Sequence, residues 1–283
     1  MVDRAGRAAS FLVRRLTREG DPSGRQPDRL LVEEPLLLRL NDHDLTTTMR
    51  TPGHDFELAV GFCHAEGLLD GVPVQTCRYC GTGSALDTEF NVVDVETGGR
   101  ARVPQPRLTV STSSCGLCGA ADVDALTERL HPLPETSPFA ADVLASVPDR
   151  VRVEQSLFDR TGAVHAAAAF EPDGRPSLVR EDVGRHNAVD KVVGRMLLDG
   201  RLPATGLGLY VSGRASFEMV QKAWAAGFST LVAVSAPTAL AVDAARRAGL
   251  VLAGFVRDDG FNVYAPERLD RDGSGHAGTR TDP

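Results

Sequence analysis

Two cysteines stand three apart in a glycine-rich stretch, Cys115-Gly116-Leu117-Cys118 within "STSSCGLCGAADVDALTERL". A C-x-x-C pair can hold a metal, cycle as a disulfide or carry a sulfur atom. Ser111 to Ser114 precede the pair, and Val123, Leu126 and Leu130 behind it mark one face of a helix. That spacing puts Cys115 near helix-terminal N–H groups, which stabilise a thiolate and draw its pKa from about 8.5 toward neutrality. Gly116 and Gly119 keep bulk away from the sulfur. A chemical role therefore fits this pair better than simple packing.

A second pair, Cys77-Arg78-Tyr79-Cys80, raises a rival reading, because four cysteines make a structural zinc site. The 34 residues between Cys80 and Cys115 exceed the usual spacer and carry a predicted hairpin, so zinc ranks second. His64-Ala65-Glu66 ahead of Cys77 and Cys80 imitates a zinc deaminase signature. Thr76 stands where that signature needs proline, and the 12 residues between His64 and Cys77 leave no room for the intervening strand. No metal ligand set is assigned. Five cysteines, an odd number with Cys63 outside both pairs, read as thiol or metal chemistry in a reducing cytoplasm rather than a disulfide framework.

A polar loop, "VREDVGRHNAVDKVVG", opens a helix and offers Arg180, Glu181, Asp182, Arg185, His186 and Asn187. Asn187 is the expected cap of that helix, with Asp190 in its first turn. His165, alone among the alanines of "VHAAAAF", reads as packing. "VSGRASFE" and "VSAPTAL" repeat one arrangement of strand, serine, small residue and helix start. Ligands of open α/β sheets settle at such strand ends. Ser212, Gly213, Arg214, Ser235 and Thr238, with His186, are thus candidates for a phosphate pocket. There is no Walker A motif and no G-x-G-x-x-G, so nothing supports use of a nucleoside triphosphate or NAD.

The elements that must position these residues follow from periodicity. "EEPLLLRLNDHDLTTTMRT" predicts two strands about Asn41-Asp42, and "FELAVGFCHAEGLL" a helix ending near Gly67. "EFNVVDVETGGRARV" predicts a hairpin turning at Thr97-Gly98-Gly99, and residues 138–160 a helical stretch broken at Pro148. "GAVHAAAAFEPDGRPSLVR" predicts another hairpin. From residue 187 helices and apolar strands alternate, which implies parallel crossovers in a layered α/β sheet. The expected organisation is a flexible extension at 1–28, a smaller antiparallel-rich α+β domain at 29–110, an α/β domain at 111–269 and a disordered tail at 270–283. The 283 residues carry a net charge of −7 and no long basic run, which argues against nucleic acid as the main partner. No apolar run reaches membrane-span length, and the arginine-rich start lacks the apolar core of a secretory signal.

Taken together, "SSCGLCG", "GAVHAAA", "REDVGRHNAVDKVVG", "SGRASFEMVQKA" and "GFNVY" resemble the FdhD family, the formate dehydrogenase accessory sulfurtransferases. "EEPLLLRLN" and "TPGHDFELAVGF" fit the same pattern, and the likeness runs from Glu33 to Leu269. The resemblance implies a persulfide carrier that is loaded by a cysteine desulfurase. It implies that the sulfur passes to a molybdenum or tungsten bis-molybdopterin guanine dinucleotide before that cofactor enters formate dehydrogenase. It maps the persulfide to Cys115, with Cys118 beside it, and cofactor contacts to Phe261, Asn262, Val263, Tyr264, Ala265 and Pro266. It also implies a cytidine-deaminase-like second domain without the zinc site, a homodimer and no permanently bound metal. Cys63, Cys77 and Cys80 lie outside the matching motifs. They leave a zinc-binding module and a dithiol oxidoreductase as the alternative classes.

Overall fold

The computed structural model describes residues 6–18, 20, 24–79, 89–101, 129–257 and 260–265. The expected domain cut near residue 110 and the tail at 270–283 lie outside the described residues, as do Cys80, Cys115, Cys118, Val123, Leu126 and Pro266.

The first strands, β1 (Ala8–Arg14) and β2 (Arg25–Leu31), pair antiparallel over seven residues each. Within the region 1–28, residues 8–14 and 25–28 are therefore strand. Its polarity misleads because a ribbon with both faces near solvent needs no alternating apolar pattern. Strand β3 (Glu34–Leu40) buries Leu36, Leu38 and Leu40 on one face. It turns through Asn41 (φ 50°) and Asp42 (φ 64°) into β4 (His43–Arg50). Positive φ at both central residues is the turn whose twist suits a hairpin.

Helix α1 (Asp55–Ala65) follows, then β5 (Thr76–Tyr79) and β6 (Val92–Glu96). The four strands lie in the order β4-β3-β6-β5, with β6 parallel to β3 and antiparallel to β5. The turn at Thr97-Gly98-Gly99 exists, with Gly98 and Gly99 at positive φ. The hairpin expected there does not form among the described residues: both edges of β6 are already taken by β3 and β5.

The second sheet has six strands. Helices α2 (Ala141–Arg152) and α3 (Ser156–Thr161) precede the hairpin β7 (His165–Phe170) and β8 (Pro176–Asp182). Pro148 lies inside α2 and does not break it; losing one N–H leaves the rest of the ladder, and the break falls at residues 153–155. Then come α4 (Arg185–Leu198), β9 (Gly208–Val211), α5 (Phe217–Ala226), β10 (Thr230–Ala233), α6 (Ala239–Ala248), β11 (Val251–Arg257) and β12 (Gly260–Ala265). The strand order is β12-β11-β10-β9-β7-β8. Strands β9, β10 and β11 are parallel, joined by helices, while β7, β8 and β12 run antiparallel to their neighbours. The sheet is mixed because short turns can join only antiparallel strands.

Alternation along β7 sends Ala167 and Ala169 toward α4, α5 and α6, and Ala166, Ala168 and Phe170 toward α2. Small side chains let helices close on both faces. Helix α1 is buried almost all round, since one side meets the small sheet and the other meets α4. A Cβ placed on Gly61 would lie 1.9 Å from the carbonyl oxygen of Asp190, and one on Gly194 would lie 1.8 Å from that of Glu57. Glycine is required on both helices at this crossing. No helix among the described residues is long and apolar enough to cross a membrane.

Candidate functional site

The carboxyl ends of β9 and β10 release two loops of similar course, Ser212 to Ser216 and Ser235 to Thr238. They are stapled together: Ala215 N donates to Ala236 O at 3.2 Å and Thr238 N to Ala215 O at 3.1 Å. Each opens a helix, but the two caps differ. The Thr238 hydroxyl accepts from Ala241 N, closing α6 in the usual way. The Ser216 hydroxyl at α5 is buried and has no hydrogen-bond partner.

Around the first loop the hairpin and α4 add their ends, because β7 starts and β8 finishes at this same edge. Ser212 Oγ accepts from Ala166 N at 2.9 Å and lies 3.4 Å from His165 Nδ1. A side chain on Gly213 would touch both His165 and Arg185 at 3.5 Å, so the glycine leaves their approach open. Burial, then the charges of Arg185 and His186, holds His165 below its ordinary pKa, which favours the neutral ring. Arg185 Nε is buried without a hydrogen-bond acceptor. One corner of the sheet thus gathers a guanidinium, an uncommitted hydroxyl and a helix start, the donor set that suits an anion.

The other expected pocket residues divide. Ser212 and Gly213 lie in this corner, and Arg214 is exposed beside it. Ser235 stands at the neighbouring loop, where its carbonyl accepts from Phe255 N and lies 3.2 Å from the Cβ position of Gly254. Phe261, Asn262, Val263, Tyr264 and Ala265 form β12, so this segment is sheet and not a free flap. Tyr264 packs over Gly254 near Pro237, and Asn262 Nδ2 donates to its hydroxyl. Phe261 packs on the α2 side of the sheet.

His186 goes elsewhere. Its Nε2 pairs closely with Glu218, inside an open cleft of about 460 Å³ that also takes in Thr46, Thr48, Glu66, Asp190 and Lys222. There Lys222 Nζ donates to Asp190 Oδ1 at 2.6 Å. His186 and Asp190 on α4 thus face Glu218 and Lys222 on α5, two side-chain pairs one helical turn apart. The i, i+4 spacing in both motifs carried that signal. It was hidden by reading His186 with the serines.

Asn187 does not cap α4; Gly184 stands at the cap position. The Asn187 amide donates instead to Met49 O and to Asp182 Oδ1. Asp182 is fully buried and also accepts from Gly184 N, Thr51 N and Lys191 Nζ, the last at 2.6 Å. Lys191 Nζ donates in turn to Thr51 O. This cluster pins the strand-to-helix loop that presents Arg185 to the start of the α1 region.

The two described cysteines are poor nucleophiles. Burial pushes the Cys63 thiol far above its ordinary pKa, and burial followed by the charge of Asp94 pushes Cys77 up to about 12.

The FdhD/NarQ family model matches residues 31–270. A Sulfur carrier protein FdhD of Streptomyces coelicolor is 51% identical over 257 residues, which cover 88% of this chain and 90% of the relative. One of Nocardia farcinica is 49% identical over 274 residues, covering 95% and 96%. A solved structure, that of a proposed formate dehydrogenase accessory protein from Desulfotalea psychrophila, superposes with a TM-score of 0.74. It covers 93% of this chain and 99% of its own at 24% identity, a likeness of fold.

Proposed function

Because the chain belongs to the FdhD/NarQ family, we propose that it is a sulfur carrier serving formate dehydrogenase. The observation that carries this reading is the near 50% identity, over almost the whole length, to proteins named as sulfur carriers. In this reading Cys115 takes sulfur from the persulfide of a cysteine desulfurase. Its thiolate attacks the outer sulfur, the desulfurase thiolate leaves, and Cys115 holds the new persulfide. Cys118 has two roles open to it. Its thiolate can accept the outer sulfur, or attack Cys115 Sγ, forming a disulfide and releasing the sulfur as sulfide. The second route needs a cellular dithiol to reset the pair.

The substrate receiving the sulfur is the molybdenum or tungsten bis-molybdopterin guanine dinucleotide, whose phosphates need donors. Arg185 with its buried Nε, the Ser216 hydroxyl, Ser212, Gly213 and exposed Arg214 supply them at one sheet corner, with Ser235 one strand further along and the Asn262–Tyr264 stretch of β12 at the sheet edge beyond β11. A cytidine-deaminase-like fold of the second domain without its zinc site, a homodimer and a cytoplasmic setting complete this proposal.

The test is mass spectrometry of the protein after incubation with a desulfurase and cysteine, run beside activation of formate dehydrogenase. Cys115→Ala should lose both the added sulfur and activation, whereas Cys118→Ala should keep some loading. Arg214→Ala should load normally and activate poorly. Full activation by Cys115→Ala would refute the assignment.

A further inference from the structure

Away from that corner, the small sheet gathers carboxylates on the face opposite its apolar core. Asp94 is the middle residue of β6 and pairs in register with Arg39 of β3 and Arg78 of β5. The Asn41-Asp42 turn folds over it, and Asp42 N donates to Asp94 Oδ1 at 3.2 Å. Glu96 stands two residues further along the same face. Carboxylate oxygens of Asp42, Asp94 and Glu96 all lie within 4.8 Å of one another.

The charges there do not balance. Among the described residues, the ion pairs of Asp42, Asp44, Asp94 and Glu96 run to Arg39 and Arg78. Arg39 reaches toward the turn, where its Nη2 donates to Asp42 O, while its Nε lies 2.8 Å from Asp44 Oδ1 without making a hydrogen bond. Arg78 Nη2 bonds Glu96 Oε1 at 2.7 Å but stays 3.7 Å from Asp94 Oδ2 and 3.8 Å from Asp42 Oδ1, too far to hydrogen-bond either. Asp94 is 0% exposed, and its Oδ2 accepts no hydrogen bond. A buried carboxylate oxygen without a hydrogen-bond donor is costly. Arg78 is itself half exposed and free to swing outward.

We propose that Asp42, Asp94 and Glu96 form a site for a hard divalent cation of calcium size, with Arg78 as the group the cation displaces. Oxygen ligands at 2.3–2.6 Å suit such an ion, and oxygens spread over 4.8 Å can all reach one placed between them. The exposed side, where Asp42 lies, leaves room for the waters that fill the coordination shell. Magnesium fits less well, since it demands near-ideal octahedral geometry at shorter distances. The cation would clamp the β3–β4 turn to the β5–β6 edge.

Isothermal titration calorimetry of the chelator-stripped, full-length protein with calcium chloride tests this, alongside melting of Arg78→Ala. One calcium per chain is expected, bound about tenfold tighter by Arg78→Ala and about tenfold weaker by Glu96→Gln or by the Asp42→Asn protein, with magnesium weaker throughout. Calcium should also restore the melting temperature that Arg78→Ala loses. No binding heat at several millimolar in either wild type or Arg78→Ala, or binding indifferent to Glu96→Gln, would show that Arg78 alone closes the cluster and overturn the proposal.

Discussion

Both oxygens of the buried Asp182 are engaged, by two backbone N–H groups, an amide and the Lys191 ammonium. Neither member of the ion pair is exposed at all. Burial pulls the Lys191 pKa down, against the pull of Asp182 in the other direction. A pair of this kind gives little net stability, yet removing one partner strands the other. Lys191→Met should therefore cost about 3–5 kcal/mol in urea unfolding, and Asp182→Asn added to it should return part of that loss. If Lys191→Met unfolds like wild type, the charge is not held as the distances imply. The same residues explain how Arg185 is aimed, since the loop carrying it hangs from Asp182 and Thr51.

Between elements, the decisive contact is the crossing of α1 and α4. Backbone meets backbone at Gly61 and Gly194, where a methyl group would land within 2 Å of a carbonyl oxygen from the other helix. Backbone cannot yield as a flexible side chain does. Overpacking commonly costs about 1–3 kcal/mol, and so direct a clash belongs at or above the upper end. Gly61→Ala and Gly194→Ala should each destabilise by about 3 kcal/mol or more in denaturant titration. Gly260→Ala, with open space around the added carbon, is the control expected to change little. Equal stability of all three variants would mean that the helices sit farther apart.

Across the whole molecule, the two sheets are joined by α1 and by charges that span them. Arg180 of β8 reaches Glu57 of α1 through Nε at 2.6 Å and Nη2 at 2.9 Å, a forked pair with little exposure. Burial pushes the Glu57 pKa up, but the Arg180 and His54 hydrogen bonds and their charges outweigh it and bring it to about 2, from an ordinary 4.5. A depressed carboxylate stabilises the fold above its unfolded pKa and loses that contribution as the pH falls through the folded one. The contribution, about 3 kcal/mol, should be complete above pH 5 and vanish by about pH 2. Arg180→Gln should flatten this part of the stability–pH curve in acid titrations of unfolding. An unchanged slope would mean the pair does not join the sheets in solution.

The pattern of apolar residues determined most of the elements by itself. The β3–β4 and β7–β8 hairpins, α1, and the alternation from α4 to β11 all follow from side-chain period and turn residues, which act locally. Local signals also located the serine loops at strand ends. What they did not determine was pairing across distance: that β6 lies between β3 and β5, that β7, β8 and β12 run against the parallel strands, or that residues 8–14 pair with residues 25–31. Those depend on which edges remain free once the chain has folded. The candidate site divides in the same way. Ser212, Gly213 and Arg214 were legible because strand ends in α/β sheets face one edge. The turning of His186 toward Glu218, the orphaned nitrogen of Arg185 and the orphaned oxygen of Asp94 were not, because burial and partnership are set by neighbours more than thirty residues away.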